Sequence, residues 1–467
     1  MKNKSILIIL TAMTVFGRIY SQHEHHHDHN TGDSVKVTDT LKTKQDSSVN
    51  IKEHEHNMDI HNGNNHSGHG VSMPHLYSLS LDMNRNGSGT GWLPDNSPMY
   101  GYMLHSSKWM FMFHGNIFLR YTATDVTRKG KFGAAKWDAP NWFMGMAQRK
   151  INSNGLLSFK IMLSLDRATE GGDGYPLLFQ SGETWEGKPL VNRQHPHDLF
   201  AELSAGYTHR LSSNWDITGY FGYPGEPALG PVAFMHRVSS HNNPDAPLSH
   251  HWQDASHITF GVATLGLRYK IFRIEGSAFN GSEPDEERWG FDKPKFNSYS
   301  WRVSVNPSPS LALQLSQGFI KSPEALAPEV DVTRTTASVI HSFNFSRLNN
   351  INSTFAWGYN DKGHGHAEHS FLAESNLQLN RFAVYSRYEF VQKDPDELAL
   401  TGFGHDAVFD ISALTLGTNY RFMQFAGADL SAGIQGSLYF TPKELQPLYG
   451  KNPVSIQVYL KLNPSGM

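Results

Sequence analysis

From Lys108 onward, runs of about ten strand-like residues are separated by gaps that alternate between very short and long. About 16 such runs can be counted, and gaps of roughly one to five residues alternate with gaps of roughly eight to 34. Short turns at one end and long loops at the other are typical of an up-and-down barrel that crosses an outer membrane, with the short turns in the periplasm. A soluble sandwich gives no reason for long loops to fall at one end only.

The sequence therefore predicts an all-β, up-and-down transmembrane β-barrel of about 16 strands, within a range of roughly 14 to 18. Both ends of the barrel should lie on the short-turn side. The predicted strands cover residues 108–120, 141–150, 156–166, 199–210, 214–222, 257–269, 271–280, 298–306, 310–319, 332–345, 350–360, 369–379, 381–392, 408–421, 426–440 and 454–463.

The third run shows the period of two that a strand requires. One face is apolar and the other is mostly polar, as expected for a wall with lipid outside and water inside. The apolar face carries Leu157, Phe159, Ile161, Leu163 and Leu165, and the other carries Ser158, Lys160, Met162, Ser164 and Asp166.

Four segments follow one another along the chain. Residues 1–21 resemble a secretory signal peptide, with Lys2 and Lys4 before an apolar stretch. Residues 22–75 form a low-complexity, His-rich segment, which we expect to be a disordered periplasmic tail. Residues 76–107 fit a plug, a periplasmic collar or extra strands, one of them at 76–83. Residues 108–467 are the predicted outer-membrane barrel.

The composition agrees with an envelope protein. The chain has no Cys, so neither a disulfide-stapled secreted domain nor a lipid-anchored lipoprotein fits. A formal net charge of −3 gives no reason to expect nucleic acid as a partner. A mean hydropathy of −0.45 with 12% aromatic residues suits a barrel with a wet interior, whose outer partner is membrane lipid.

The tail is a candidate metal buffer. Imidazoles alternate there with Asp and Glu, which gives many weak sites for Zn, Cu or Ni. The alternative is a solvated spacer. The tail candidates are His23, His25, His26, His27, His29, His54, His56, His61, His66 and His69.

The longest loops hold the least generic sequence in the chain. They include Gly-Tyr-Pro-Leu-Leu-Phe-Gln at 174–180, Arg-Gln-His-Pro-His-Asp-Leu at 193–199, Pro-Gly-Glu-Pro-Ala-Leu-Gly-Pro at 224–231, Phe-Met-His-Arg at 234–237 and His-His-Trp-Gln-Asp at 250–254. A further distinctive phrase, Arg-Thr-Thr-Ala-Ser at 334–338, lies within a predicted strand. Through these phrases the chain, from about Met110 to its end, resembles a family of uncharacterised Gram-negative outer-membrane β-barrels often found beside copper or other heavy-metal efflux components. The resemblance implies an association with transition-metal handling, and metal-efflux components as partners.

Histidine and carboxylate side chains in these loops suit zinc or copper, although the pattern requires no cofactor. If the loops after the third and fifth strands meet, His195, His197, His236, His250 and His257 can converge. The alternative is that these histidines only hydrogen-bond the ordered loops. The loop candidates for metal binding are His195, His197, Asp198, His236, His250, His251, Asp254 and His257.

The first strand adds a softer donor set. With Trp109, Phe111 and Phe113 facing lipid, the lumen candidates are Met110, Met112 and His114. Met144 and Met146 also share one face, so the set can form a ladder for a soft ion. Ordinary packing by methionine is the alternative.

An enzyme is the least favoured class. No Gly-x-Ser-x-Gly turn stands out, and His341 and Ser342 are adjacent strand residues that point to opposite faces. The acidic run of Glu283, Asp285, Glu286 and Glu287 is interpreted as a solvated turn. The sequence thus predicts a porin-like outer-membrane barrel that binds or conducts a small solute and is linked to copper, zinc or silver. One alternative is a barrel closed by its loops that binds a ligand or partner without conduction. A less favoured alternative is an outer-membrane hydrolase. The oligomeric state stays open.

Overall fold

The computed structural model describes residues 74–363, 366–404 and 406–467, and in this part of the chain one antiparallel sheet closes into a barrel of 16 wall strands. The predicted fold class is confirmed. The wall strands are β1 Met110–Ala123, β2 Asn141–Lys150, β3 Gly155–Leu163, β4 Phe200–Ser212, β5 Trp215–Gly222, β6 Val262–Tyr269, β7 Phe272–Phe279, β8 Ser298–Ser308, β9 Leu311–Ile320, β10 Val332–Ser346, β11 Asn349–Gly363, β12 His366–Leu379, β13 Phe382–Lys393, β14 Phe409–Phe425, β15 Ala428–Phe440 and β16 Val454–Pro464.

Short strands and helical turns accompany the 16 wall strands. Tyr102–His105 and Ala135–Asp138 pair with β1, Tyr175–Pro176 pairs with Arg193–Gln194, and Thr184–Trp185 pairs with Lys188–Pro189. The helical pieces within the described ranges are three or four residues long. They are Met83–Arg85, Asp166–Thr169, Phe234–His236, Val238–Ser240, His250–Gln253, Ala255–His257, Lys443–Leu445 and Gln446–Tyr449. No helix in the described ranges has the length and apolar composition to cross a bilayer.

The first strand closes the barrel. Along its first half β1 pairs with β2, from Met110 opposite Gln148 to Ile117 opposite Asn141. Along its second half it pairs with β16, from Ile117 opposite Leu462 to Ala123 opposite Ile456. The wall therefore has no free edge at the closure, as a barrel in lipid requires, because an unpaired backbone group there has no water to bond.

Burial alternates strictly along the central strands. In β5 and β6 every second residue is buried in the lumen and its neighbours are exposed outside. The outward side chains are large and apolar: Leu265 is 63% exposed and Ile274 is 55% exposed in the isolated chain. Such an apolar outer surface is suited to lipid, whereas the lumen is lined by buried charged and polar groups.

Several predicted strand boundaries differ from those in the structure. The third strand ends at Leu163 instead of residue 166, because Asp166 begins a helical turn and its carboxylate accepts the Asn141 N–H. The sixth strand begins at Val262 instead of residue 257. Gly261, directly before it, has a φ of 104°, so an extended strand cannot continue through this residue. Strands β11 and β12 run on until Gly363 pairs with His366, so only residues 364–365 remain of a gap predicted to be long.

Residues 74–101, the lumen segment, lie against the inner wall. Ser78 Oγ donates to Asp216 of β5 at 2.5 Å, Lys160 of β3 donates to the Gly89 carbonyl, and Arg302 of β8 donates to Thr90 Oγ1. These bonds hold residues 74–101 against the inner wall, whereas Tyr102–His105, from the same predicted segment, pair with β1 as a short strand. The strand predicted at 76–83 is absent from this described stretch, because Ser78 and its neighbours form turns and bond the wall.

The 223–261 loop, between β5 and β6, crosses the lumen. Its Gly230 N–H donates to Ser316 of β9 at 2.9 Å, and its Arg237 pairs with Glu374 of β12 at 2.7 Å. Further along, Asp245 pairs with Arg120 of β1 at 2.8 Å. Contacts with strands on several sides hold this loop inside the barrel, where it meets the 164–199 loop.

Candidate metal centre

Five imidazoles from two loops meet inside the barrel. We call them the His centre: His195 and His197 of the 164–199 loop, and His250, His251 and His257 of the 223–261 loop. Neighbouring rings have centroids 5.1 to 6.1 Å apart, from the pair His250 and His257 to the pair His195 and His250. Four of the five imidazoles for which convergence was predicted, those of His195, His197, His250 and His257, therefore lie together, whereas His236 does not join them.

Local structure sets the direction of each ring. His250 and His251 lie on the helical turn His250–Gln253, whose Trp252 is fully buried and donates its indole N–H to Glu368 of β12. His257 ends the next turn, Ala255–His257. His195 and His197 follow the short strand Arg193–Gln194, which is paired with Tyr175–Pro176. Two-residue spacing in an extended segment carries both rings toward the other loop.

The Nδ1 atom of every ring in the His centre faces an oxygen acceptor. Three of these acceptors are carboxylates and two are backbone carbonyls. The pairs are His197 with Asp166 at 2.7 Å, His250 with Asp254 at 2.7 Å, His251 with Glu283 at 3.0 Å, His257 with the Asp254 carbonyl at 2.8 Å, and His195 with the Pro196 carbonyl at 3.4 Å. A carboxylate oxygen of Glu183 also lies 3.2 Å from Nδ1 of His195.

The Nε2 atom is unpartnered in most of these rings. Those of His195, His197, His251 and His257 are buried and have no hydrogen-bond partner. Leaving a buried polar atom unpaired costs about 1–3 kcal/mol, so four together in one place need a reason. Histidines that ligate metals typically have Nδ1 fixed by a carboxylate or carbonyl and leave Nε2 for the ion.

Three rings are close enough to share one ion. Ligand atoms of His195, His250 and His251 all lie within 4.8 Å of one another. Two nitrogens bound to one tetrahedral ion at 2.0–2.1 Å are about 3.3 Å apart. Small rotations of these side chains would therefore close the set around Zn or Cu, and the donors fit either ion.

Two of the rings, His195 and His257, are suited to bind as neutral ligands. Burial, aided by His251 and His250, lowers the pKa of His195 well below its ordinary range. Burial also lowers the pKa of His257 to about 3. Since a protonated imidazole cannot ligate, these shifts keep the nitrogen lone pairs available at neutral pH.

An acidic cavity of about 890 Å³ opens among the long loops. Glu283, which is hydrogen-bonded to His251, and Glu183, which lies 3.2 Å from Nδ1 of His195, line this cavity and so connect it to the His centre. Clefts of one charge sign raise the local concentration of the opposite ion. The other acidic residues along the cavity are Asp285, Glu286, Glu287, Asp292 and Glu324, with Lys293 and Lys295 as the lysines.

Three of the loop candidates lie elsewhere or act differently. Asp198 pairs with Arg288 at 3.1 Å and is turned away from the rings. Asp254 orients His250 and His257 instead of facing an ion. His236 lies 4.8 Å from Trp142 and 5.8 Å from His114, between ring centroids, because Phe234 at the start of the same turn occupies the side toward His250.

Sequence reasoning missed the carboxylates behind the rings. Glu283 was interpreted as part of a solvated turn, but its side chain is only 13% exposed and holds His251. Glu286 accepts hydrogen bonds from the 164–199 loop, from Thr184 at 2.6 Å. The acidic run at 283–287 could have indicated carboxylates near the rings, because it follows a strand at the same end of the barrel as the His-rich loops.

The remaining candidates are the lumen residues of the first strand and the histidines of the tail. Met112 is buried on the lumen side of β1, and His114 and Met110 are half-buried on the same side. The tail candidates between His23 and His69 lie outside the described residues.

No protein-family model and no curated protein matches this sequence. Among solved structures, it is similar to OmpF of Salmonella typhi in complex with daunomycin, with a TM-score of 0.48, 8% identity and coverage of 78% of this chain and 100% of that one. An anion-selective porin from Comamonas acidovorans gives a TM-score of 0.47 at 8% identity, covering 76% of this chain and 100% of the porin. A loop-deletion mutant of OmpT, an outer membrane protein of Vibrio cholerae, gives 0.45 at 10% identity, covering 76% and 100%. The barrel assignment rests on this chain's own strand pairing.

Proposed function

We propose that this chain is an outer-membrane barrel that binds a transition-metal ion, Zn(II) or Cu(II), at the His centre. The observation that carries the proposal is the set of four buried Nε2 atoms without partners, each on a ring whose Nδ1 is already fixed. Hydrogen bonding within the loops accounts for the Nδ1 contacts alone. A metal ion accounts for the other side of the rings as well.

The membrane location follows from the outer surface and the loops. Apolar side chains such as Leu265 and Ile274 face outward from the wall, and long loops lie at one end only. In a bacterial outer membrane the long-loop end faces outside. The acidic cavity then lies on the outer surface, and the lumen segment lies toward the periplasm.

Carboxylates of the acidic cavity and imidazoles of the His centre together account for how a metal cation would be captured. Carboxylates along the cavity attract the cation, and Glu183 and Glu283 draw it to the rings they hold. The imidazoles then replace water through Nε2 while Nδ1–H stays bonded to its acceptor. Negative charge behind the rings raises their basicity and compensates the charge of a divalent ion.

Binding is favoured over open conduction because the lumen is filled. The 223–261 loop and the lumen segment contact strands around the interior, and the cavities beside the His centre measure only about 50 and 90 Å³. Conduction of the same ion is the second candidate, since the acidic cavity, the His centre and these smaller cavities adjoin. The link to metal-efflux components and the buffering role of the tail are proposals that rest on the sequence alone.

Equilibrium dialysis against Zn(II) and Cu(II) tests the proposal on the full chain in detergent. We expect weak sites that disappear when residues 22–73 are removed, and one tight site that does not. His195→Ala with His251→Ala should abolish the tight site alone. The paired control is His209→Ala with His341→Ala, two histidines on wall strands outside the His centre. The proposal fails if all binding is lost with the tail.

Single-channel recording separates the two candidates. With the loops intact, a closed barrel gives no openings in a planar bilayer. Deleting residues 227–257 removes the loop that crosses the lumen and should produce them. Openings of the intact protein that are selective for the bound metal would instead establish conduction.

A further inference from the structure

A second group of metal-ligating side chains lies inside the barrel, apart from the His centre. Six of its residues, which we call the Met/His pocket, line one cavity of about 90 Å³: Met112, His114, Met144, Met146, Met235 and His236. The wall strands β1 and β2 supply the first four, and the 223–261 loop supplies the last two. Neither His195 nor His251 lines this cavity.

Strand register places the wall residues on two adjacent rungs. Met112 is the direct partner of Met146, and His114 is the direct partner of Met144, all on the lumen side. Directly opposed residues have Cβ atoms about 4.5–5.5 Å apart, which brings their side-chain ends into contact. The sheet therefore fixes three thioethers and an imidazole as one patch. His236 completes it from the loop, with its ring 5.8 Å from that of His114.

One pair of donors is already close to a ligating distance. Nε2 of His114 lies 3.0 Å from Sδ of Met144. Around a tetrahedral ion, a nitrogen at about 2.0 Å and a sulfur at about 2.3 Å are roughly 3.5 Å apart. An ion could enter between them after a shift of about 0.5 Å.

The surroundings decide which ion fits. No carboxylate is found among the described residues that line the cavity. Its one lining guanidinium, Arg237, is already paired with Asp254 and Glu374. A divalent ion here would lose its water without an anion to compensate its charge, whereas a soft monovalent ion bound by thioether and imidazole loses much less. The His centre, with carboxylates behind its rings, has the opposite preference.

We propose that the Met/His pocket is a binding site for a soft monovalent metal ion, Cu(I) or Ag(I). His114 and Met144 supply the first two ligands, and neighbouring thioethers supply the others. Packing alone would be satisfied by leucine at these positions, and it would not require two histidines beside four methionines.

The pocket also adjoins the His centre. A smaller cavity of about 50 Å³ is lined by His195 and His197 and shares the lining residues Met235 and His241 with the 90 Å³ cavity of the Met/His pocket. The barrel thus holds a nitrogen-rich site and a sulfur-rich site next to each other, each matched to a different charge and softness of metal ion.

Ag(I) binding to the full chain in detergent, followed by competition with a chromophoric chelator, tests the assignment. Met112→Leu with Met144→Leu keeps the side-chain volume and removes two sulfurs. We expect Ag(I) affinity at the buried site to fall at least tenfold while Zn(II) binding is unchanged. Met423→Leu is the matched control, because this methionine is 50% exposed on β14.

The reciprocal variant makes the test specific. His195→Ala with His251→Ala should weaken Zn(II) and leave the Ag(I) affinity of the pocket unchanged. A second pair, Met146→Leu with Met235→Leu, should repeat the Ag(I) loss if the first pair folds poorly. Equal Ag(I) affinity in wild type and both methionine pairs would overturn the proposal, as would an X-ray absorption spectrum of the Ag(I) complex of the tail-deleted chain without sulfur neighbours.

Discussion

Nδ1 of His251 lies 3.0 Å from Oε1 of Glu283, while Nε2 of the same ring is buried and has no partner. The two residues come from different loops and are 32 positions apart. Glu283 therefore fixes the ring and leaves one nitrogen free to ligate. The same division between Nδ1 and Nε2 recurs at His195 and His197.

Replacing Glu283 with Gln should weaken metal binding at the His centre by about 10- to 100-fold, the usual cost of losing such a partner. The amide keeps the shape of the side chain but can present its N–H₂ to the ring, and it carries no charge. Isothermal titration with Zn(II) on the tail-deleted chain measures the change. Glu444→Gln, an exposed carboxylate that does not line the acidic cavity, should bind Zn(II) as the wild type does. Equal affinities for the two variants would contradict a role for Glu283.

A methyl group at Gly182 should displace His251. Gly182 has a φ of 104°, and a Cβ there would overlap the imidazole of His251. Gly182→Ala is therefore expected to reduce Zn(II) affinity at least about tenfold, as loss of one ligand does. Gly187→Ala is the control: it also has a positive φ, of 70°, but nothing lies within 4 Å of its Cβ position. If both alanine variants lose affinity equally, backbone strain rather than the clash is responsible.

The fold was predictable because its determinants are local. Alternating burial in β5 and β6 can be read from neighbouring residues, and the lengths of turns and loops fix the order of the strands. The errors arose where a single residue overrides the pattern. Because of the left-handed backbone of Gly261, β6 begins only at Val262, although residues 257–260 continue the alternation of polar and apolar residues.

The site was predictable only in part, since it depends on how two loops fold against each other. Proximity in sequence identified His250 and His251 as a group with Asp254. Nothing local indicates that Glu283 belongs to His251, or that Phe234 instead of His236 faces the rings. Such contacts are set by the long-range packing of loops within the lumen.

Arg237 should hold the lumen closed. Its buried guanidinium pairs with Asp254 at 2.9 Å and with Glu374 at 2.7 Å. Arg237→Met leaves buried charge uncompensated, at a cost near the lower end of about 3–5 kcal/mol because Glu374 keeps Arg387. We expect the variant to show transient openings in planar bilayers that the wild type lacks. Lys321→Met breaks only an exposed pair with Asp331, which solvent screens, and should stay closed; openings in both variants would argue against this role.

Lowering the pH should remove metal from the tail before the His centre. Isolated imidazoles titrate near 6.5, so at pH 5.5 only about a tenth of them remain neutral. Burial instead lowers the pKa of His257 to about 3 and that of His195 well below the ordinary range, so these rings stay neutral and able to ligate. Zn(II) dialysis of the full chain at pH 7.5 and 5.5 should therefore show the weak sites disappearing while one tight site persists. Loss of both classes together between pH 7 and 6 would show that the rings of the His centre titrate like exposed histidines, and the buried cluster would then not be the tight site.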